Sequence, residues 1–239
     1  MDLRAPVLEY TSLRLPDATD ATDATDGRNR SSCGSCPSAS GQSPSGGARL
    51  QEQRIRVLAI PGSLRRASYN RKLLDATRQL ARDPVDIDIY EDGQHIPLFN
   101  EDFEGDLTPQ PVLELRSRIR SADAVLIASP EYNSSITGVL KNLIDWASRP
   151  YGQSAFAGKP VSVVGASPSR FGALRSQETA IAVLGSAGAR VVGGPHPVER
   201  VFALVDPDGR IGDGATLEML QGVLTKLVGA AAASPVAGS

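Results

Sequence analysis

The sequence predicts a doubly wound α/β domain, a five-stranded parallel sheet with helices on both faces. Three observations predict it. Short continuous apolar runs, the mark of strands buried on both sides, recur from residue 55 onward. Segments of helical period lie between them, and clusters of Gly, Ser, Pro and Asn follow the apolar runs.

The first run, IRVLAI (55–60), is bounded by a turn-forming loop, and Leu73, Leu74, Thr77, Leu80 and Ala81 then recur at helical spacing. VDIDIY (85–90) alternates apolar and acidic residues, as a strand nearer a sheet edge does. Val112, Leu115 and Ile119 mark the next helix, and AVLIAS (124–129) the next buried strand. A broad apolar face of Val139, Leu140, Leu143, Ile144, Trp146 and Ala147 stands opposite Lys141, Asp145 and Ser148. PVSVVGAS (160–167) and ARVVGG (189–194) read as the fourth and fifth strands, with a helix between them from about Ala173 to Ala187. After the turn-forming DPDGRIGDG, residues Leu217, Leu220, Val223, Leu224, Leu227 and Val228 form a last helix. Alternation of this kind implies right-handed crossovers, with ligands taken outside the carboxyl ends of the strands.

Residues 1–53 differ in texture, with the repeat DATDATDATD and a Ser/Gly-rich stretch. Too few apolar groups are present to offset about 1–2 kcal/mol of backbone entropy per ordered residue, so a disordered tail is expected. The expected organisation is a tail over 1–53, a domain over 54–231 and a flexible end over 232–239. The two cysteines, Cys33 and Cys36, form a CxxC in the tail. Such a pair is a redox couple or half of a zinc site, but the histidines, His95 and His196, fall in unrelated loops. No metal is expected.

A net charge of −2 offers no concentrated basic face, so nucleic acid is not an expected partner. No run approaches the roughly 18 apolar residues of a membrane span, and the first residues lack the order of a secretion signal. A cytoplasmic protein is expected.

Three loops carry the candidate chemistry. In IPGSLRRASYN (60–70), Gly62 allows a tight turn, Ser68 is a helix N-cap, and the helix N-terminus presents backbone amides. Ser63 and Ser68 add hydroxyls, Asn70 an amide, and Arg65 or Arg66 a permanent charge, a set complementary to a terminal phosphate. The loop is neither a Walker loop nor a dinucleotide fingerprint, which points to a mononucleotide such as FMN. The second loop, SPEYNSSITG, begins at Pro130, adds Glu131 and Asn133, and offers the flat side chain of Tyr132. Ser135 or Thr137 caps the helix beyond it. The third, GASPSRFGALRSQ (165–177), brings Ser167, Ser169, Arg170 and Phe171. A planar heterocycle is the ligand these two loops suit. Plainer readings stand beside these: Trp146 as helix core or interface packing, Glu131 as a turn anchor, and Arg149 as a charge at a helix C-terminus.

GSLRRASYN, SPEYNSSITGVLKNLIDWASR and GKPVSVVGASPSRFGALRSQ together resemble the NADPH-dependent FMN reductase family of flavodoxin-like proteins, over about residues 54–230. The resemblance implies a flavodoxin-like fold, bound FMN, and electron transfer from NADPH, with NADH possible, to a small-molecule acceptor: a quinone, azo compound, chromate-like oxyanion or free flavin. By matching position it implies that Ser63, Arg65, Ser68 and Asn70 hold the FMN phosphate. It likewise places Pro130, Glu131, Tyr132 and Asn133 along the ribityl chain and ring, with the loop at Ser167 at the other edge. A homodimer or homotetramer built partly on LKNLIDWASR is a further implication. The chain departs from the family pattern at Ser135-Ile136-Thr137-Gly138, where proline and glycine are common, and at Gly172-Ala173, where two glycines are. Loss of the proline predicts a looser start to the helix, and Ala173 less room above the ring.

Hydride passes directly between a nicotinamide and a flavin, so the protein orients rings and needs no acid, base or metal of its own. No side chain is expected to be catalytic. A ping-pong cycle is the expected scheme. Two alternatives remain open on sequence: a reductase that releases reduced FMN to a partner monooxygenase, and a flavodoxin-type electron carrier that is not an enzyme.

Overall fold

The sheet is built from the apolar runs in the order β2-β1-β3-β4-β5. A computed structural model describes residues 54–233. The expected tail, with its CxxC, and residues 234–239 lie outside the described residues. The main strands are β1 (Ile55–Pro61), β2 (Val85–Ile89), β3 (Ala124–Ala128) and β4 (Pro160–Ala166). All pairings among them are parallel, with Val57 opposite Ala124 and Val125 opposite Val161. β3 and β4 are buried at every residue, as strands covered on both faces must be. β2 keeps the alternation expected at an edge, with Ile87 and Ile89 buried and Asp86 and Asp88 exposed.

Among the described residues five α-helices cover the two faces: α1 (Tyr69–Leu80), α2 (Gln110–Ser121), α3 (Gly138–Ala147), α4 (Leu174–Ser186) and α5 (Gly214–Ala232). Successive residues of a strand feed opposite cores. Leu58, Ile60, Val125, Ile127, Val161 and Val163 meet α2, α3 and α4, whereas Val57, Ala59, Leu126, Val164 and Ala166 meet α1 and α5. Trp146 is fully buried in the first core, its ring edge-on to Phe99 and its Nε1 donating to Pro97 O at 2.8 Å. This is the core reading of Trp146.

The fifth position differs from the continuous strand expected over 189–194. β5 is only Arg190–Val191, and a separate β6, Pro197–Val198, resumes pairing with the far end of β4. Val192 N still donates to Val161 O and His196 O accepts from Gly165 N, so residues 193–195 are the ones that leave the ladder. Gly193, with φ 83°, turns the chain out of the extended conformation there. The side chain of Gln177 occupies this interruption, its Oε1 accepting from His196 N at 2.7 Å.

The chain reverses direction across the sheet between β1 and β3. One crossover from β1 leads to β2 on one side, while β3 lies on the other. The loops leaving β1, β3 and β4 therefore emerge side by side at the carboxyl edge, where this architecture takes ligands.

Candidate cofactor site

The first loop is fastened directly to the second. Gly62 N donates to Ala128 O at 2.8 Å, and Thr137 Oγ1 donates to Gly62 O at 2.6 Å. A Cβ on Gly62 would stand 2.9 Å from Pro130 Cδ and 3.0 Å from Ala128 O, so close approach of two chains is what requires glycine here. Thr137 also accepts from Leu140 N at 3.1 Å, making it the cap of α3. It thus closes the helix start that loss of a proline was expected to loosen.

Beyond Gly62 the loop folds on itself: Ser68 N donates to Arg65 O at 3.1 Å, and Ser63 Oγ accepts from Arg65 N at 3.3 Å. Ser68 caps α1 by accepting from Arg71 N at 3.4 Å. Each hydroxyl thus accepts one backbone bond; Ser63 lines the adjoining cavity, whereas Ser68 is 2% exposed beneath the loop. The Arg65 guanidinium lies 5.6 Å from the Tyr69 ring centroid. Arg65 and Arg66 are exposed, and neither pairs with a carboxylate among the described residues. A cavity of about 180 Å³ between this loop and the exit of β2 is lined by Ser63, Arg65, Arg66, Tyr90 and Gln94. Arg71, on its wall, is neutralised by Asp75 and Glu91. Burial pushes the Tyr90 phenol up to about 12, and its hydroxyl has no hydrogen-bond partner among the described residues.

In the second loop Pro130 ends β3, and Tyr132 and Ser135 exchange two backbone bonds of 3.1 Å across Asn133 and Ser134. Both central residues have positive φ, 52° and 62°. Asparagine tolerates this conformation by local hydrogen bonding, which explains its place in the turn. Tyr132 is left 57% exposed at the mouth of the crevice. Glu131 turns the other way, its Oε2 accepting from Arg175 N at 3.0 Å and Ser176 N at 3.4 Å. It caps α4, whose own N-cap residue, Ala173, has no side-chain acceptor. The anchoring reading of Glu131 describes what its carboxylate does.

The third loop leaves β4 at Ser167. Ser167 Oγ and Ser169 Oγ lie 3.1 Å apart and accept from Ser169 N and Phe171 N, respectively. Arg170 lies over the exposed ring of Phe171, 4.8 Å from its centroid. Ala173 adopts a left-handed conformation, φ 62°, with no exposed surface. Its methyl is inside the protein, which corrects the expectation that it narrows the crevice.

Ser63, Arg65, Ser68, Pro130, Tyr132, Asn133 and Ser167 thus lie on loops brought to one edge of the sheet. Asn70 sits differently. It is 3% exposed, and its amide is spent on one residue: Nδ2 donates to Ala166 O at 3.0 Å and Oδ1 accepts from Ala166 N at 2.9 Å. Arg149 stands at the helix end where it was expected, just past the C-cap Ser148 of α3, and its guanidinium binds Glu101 at 2.6 Å and Glu104. Gln177 was not singled out from the sequence. Its signal was there: it stands in helical register with the apolar stripe Ala180, Ile181 and Leu184, a polar residue on a core-facing row.

Residues 55–200 match the family described as NADPH-dependent FMN reductase, 146 of the 239 residues. The chain belongs to that family. An NAD(P)H-dependent FMN reductase of Pseudomonas aeruginosa is 41% identical over 180 residues, covering 72% of this chain and 93% of the relative. A quinone reductase of Pseudomonas putida is 49% identical over 116 residues, 48% of this chain, and only 62% of that relative's length is matched. Among solved structures, a flavoenzyme NAD(P)H:(acceptor) oxidoreductase of Paracoccus denitrificans superimposes with a TM-score of 0.66 at 35% identity, covering 74% of this chain and 97% of that one. The donor set fits the family's FMN. Arg65 and Arg66, without a carboxylate partner among the described residues, and the hydroxyls of Ser63 and Ser68 lie on the loop that enters the 12-residue helix α1, the chemistry a dianionic phosphate calls for. The second and third loops offer backbone and aromatic surface, and the one acid of the second, Glu131, is turned onto the start of α4.

Proposed function

We propose that the protein is an FMN-dependent oxidoreductase that takes a hydride from NADPH, or NADH, and delivers two electrons to a small quinone. The convergence of the three loops at the strand-order reversal, with an uncompensated Arg65 and Arg66 in the first, carries this reading. FMN, when bound, supplies the reversible acceptance of a hydride and its release as two electrons to the acceptor.

The chain's residues bind and orient. Arg65, Ser63 and Ser68 hold the phosphate end, with the α1 amides behind them. Pro130, Tyr132 and Asn133 form the wall beside the ribityl chain and ring, and Ser167 opens the loop at the opposite edge. Glu131 acts by fixing that wall to α4. No acid or base of the protein would be needed for hydride to pass from a nicotinamide carbon to a flavin nitrogen. Orientation of the two rings is the protein's contribution to rate. Tyr132 and Phe171 are exposed on the second and third loops, and a surface of this kind would suit successive use by donor and acceptor.

A quinone is the acceptor favoured by the relatives' names. Azo compounds, chromate-like oxyanions and free flavin are further acceptors within reach of an open site. Exposed Leu98, Phe103, Leu107 and Tyr151, carried by neighbouring segments tied together through Arg149, support a homodimer or homotetramer. No helix among the described residues is long and apolar enough to cross a membrane, and a cytoplasmic location is proposed with the function.

The test is an anaerobic absorbance spectrum of the purified chain after incubation with FMN. Bleaching of flavin absorption by NADPH, and its return on adding benzoquinone, is expected. A chain that neither retains nor takes up FMN refutes the proposal. Arg65→Ala should weaken FMN binding by about tenfold or more with the fold intact, since one charge-assisted bond is removed.

A further inference from the structure

The third loop is gripped at both ends by a buried side-chain amide. At its start, the register that sets Ala128 opposite Val164 would bring Ala166 opposite Pro130. β3 has left the ladder by then, and its last carbonyl, Ser129 O, accepts instead from Ser176 Oγ at 3.2 Å. Asn70 takes the vacated place: its amide supplies Ala166 with both an acceptor and a donor, as a neighbouring strand would. At the loop's end, Gln177, with no exposed surface, donates from Nε2 to Gly172 O and Ala173 O, both at 3.2 Å. Its Oε1 takes His196 N, so the same amide fixes the interruption between β5 and β6. Gly165 is what admits it, for a Cβ there would stand 2.7 Å from Gln177 Nε2.

We propose that Asn70 and Gln177 are positioning residues that set the third loop for the flavin ring, and that Asn70 is not a phosphate ligand. The inference rests on the FMN reading above. Its physical content is a linkage. Asn70 follows the cap Ser68 by two residues, so the element that carries the first loop also holds the start of the third. Between the two grips, Ser169, Arg170 and Phe171 are exposed, so the loop has no core of its own to hold it. Its shape is imposed from its ends, with help from Arg200 N, which donates to Ser169 O at 3.0 Å.

A phosphate ligand and a loop holder differ in which flavin they discriminate. The full chain, freed of flavin, is titrated with FMN and with riboflavin, which lacks the phosphate, following flavin fluorescence. Asn70→Ala should weaken both by the same factor, about tenfold. Loss of FMN affinity alone would make Asn70 a phosphate ligand and overturn the proposal. Gln177→Glu gives a second readout that does not require Asn70→Ala to fold. The new carboxyl can still accept from His196 N, but only its protonated form can donate to Gly172 O or Ala173 O, and its ionised form repels them. Burial and those carbonyls raise its folded pKa above the ordinary ~4.3. Riboflavin affinity should therefore be nearest wild type in acid and fall as pH rises through that raised value, relative to wild type at each pH. A lowered melting temperature with unchanged riboflavin affinity at every pH would mean a purely structural role and would overturn the proposal. Wild-type protein that binds neither flavin would remove the FMN reading and this inference with it.

Discussion

Thr137→Val exchanges one hydroxyl for a methyl of nearly the same size, at a residue 4% exposed. Two bonds are lost together. Leu140 N loses its cap acceptor, which costs about 1–2 kcal/mol. The Gly62 carbonyl loses the donor that reaches it at 2.6 Å, and leaving such a buried group unpaired costs about 1–3 kcal/mol. The added buried methyl returns up to ~1 kcal/mol. The mid-range sum is a net loss of about 3 kcal/mol, which for a domain of this size lowers the melting temperature by roughly 6–12 °C. Thr137→Ser is the control: both bonds survive and only a methyl is lost, at about 1 kcal/mol. Urea and thermal unfolding of the three proteins, with equal denaturant slopes, give the comparison. If the valine variant is as stable as the serine variant, the hydroxyl does not join the first loop to α3 and the account of that junction fails.

Tyr90→Phe should be neutral or stabilising by up to ~2 kcal/mol near pH 7, because it removes a buried hydroxyl that has no partner. The same change should flatten alkaline unfolding. The phenol's folded value of about 12 lies above its ordinary 10, so its contribution is full below pH 10 and is lost as pH rises through 12. An unchanged alkaline limb in the variant would contradict this. Gly165→Ala should destabilise by about 1–3 kcal/mol, since the new methyl meets Ser129 O at 2.8 Å and the Gln177 amide at 2.7 Å. A thermal melt identical to wild type would show that the crowding at Gly165 is relieved by other means.

The core strands were legible because burial on both faces leaves a local mark. IRVLAI, AVLIAS and PVSVVGAS are continuous apolar runs, and β1, β3 and β4 fall on them within a residue or two. The cap of α1 was legible for a similar reason, since a serine accepting from an amide three residues on is a local bond. For α3 the sequence offered Ser135 and Thr137 equally. What singled out Thr137 is its second bond, to a carbonyl 75 residues away.

The fifth strand shows the limit. ARVVGG has the composition of a strand, yet it breaks after Val191 and resumes at Pro197. Asn70 shows the same limit at the site, since an asparagine near a helix start in a donor-rich loop looks like a ligand until Ala166 is found against it, 96 residues away. The sequence by itself determined the order of strands and helices, the loops that carry polar donors, and the kinship those loops imply. The first two rest on periodicity and short-range bonds, and the kinship on likeness to a known family. Only the tertiary structure decided which polar side chains face the crevice and which are spent holding the backbone, as Asn70, Glu131 and Gln177 are. A hydrogen-bonding group's role depends on the partner it meets, and each of these three reaches across the fold to backbone at least 19 residues distant.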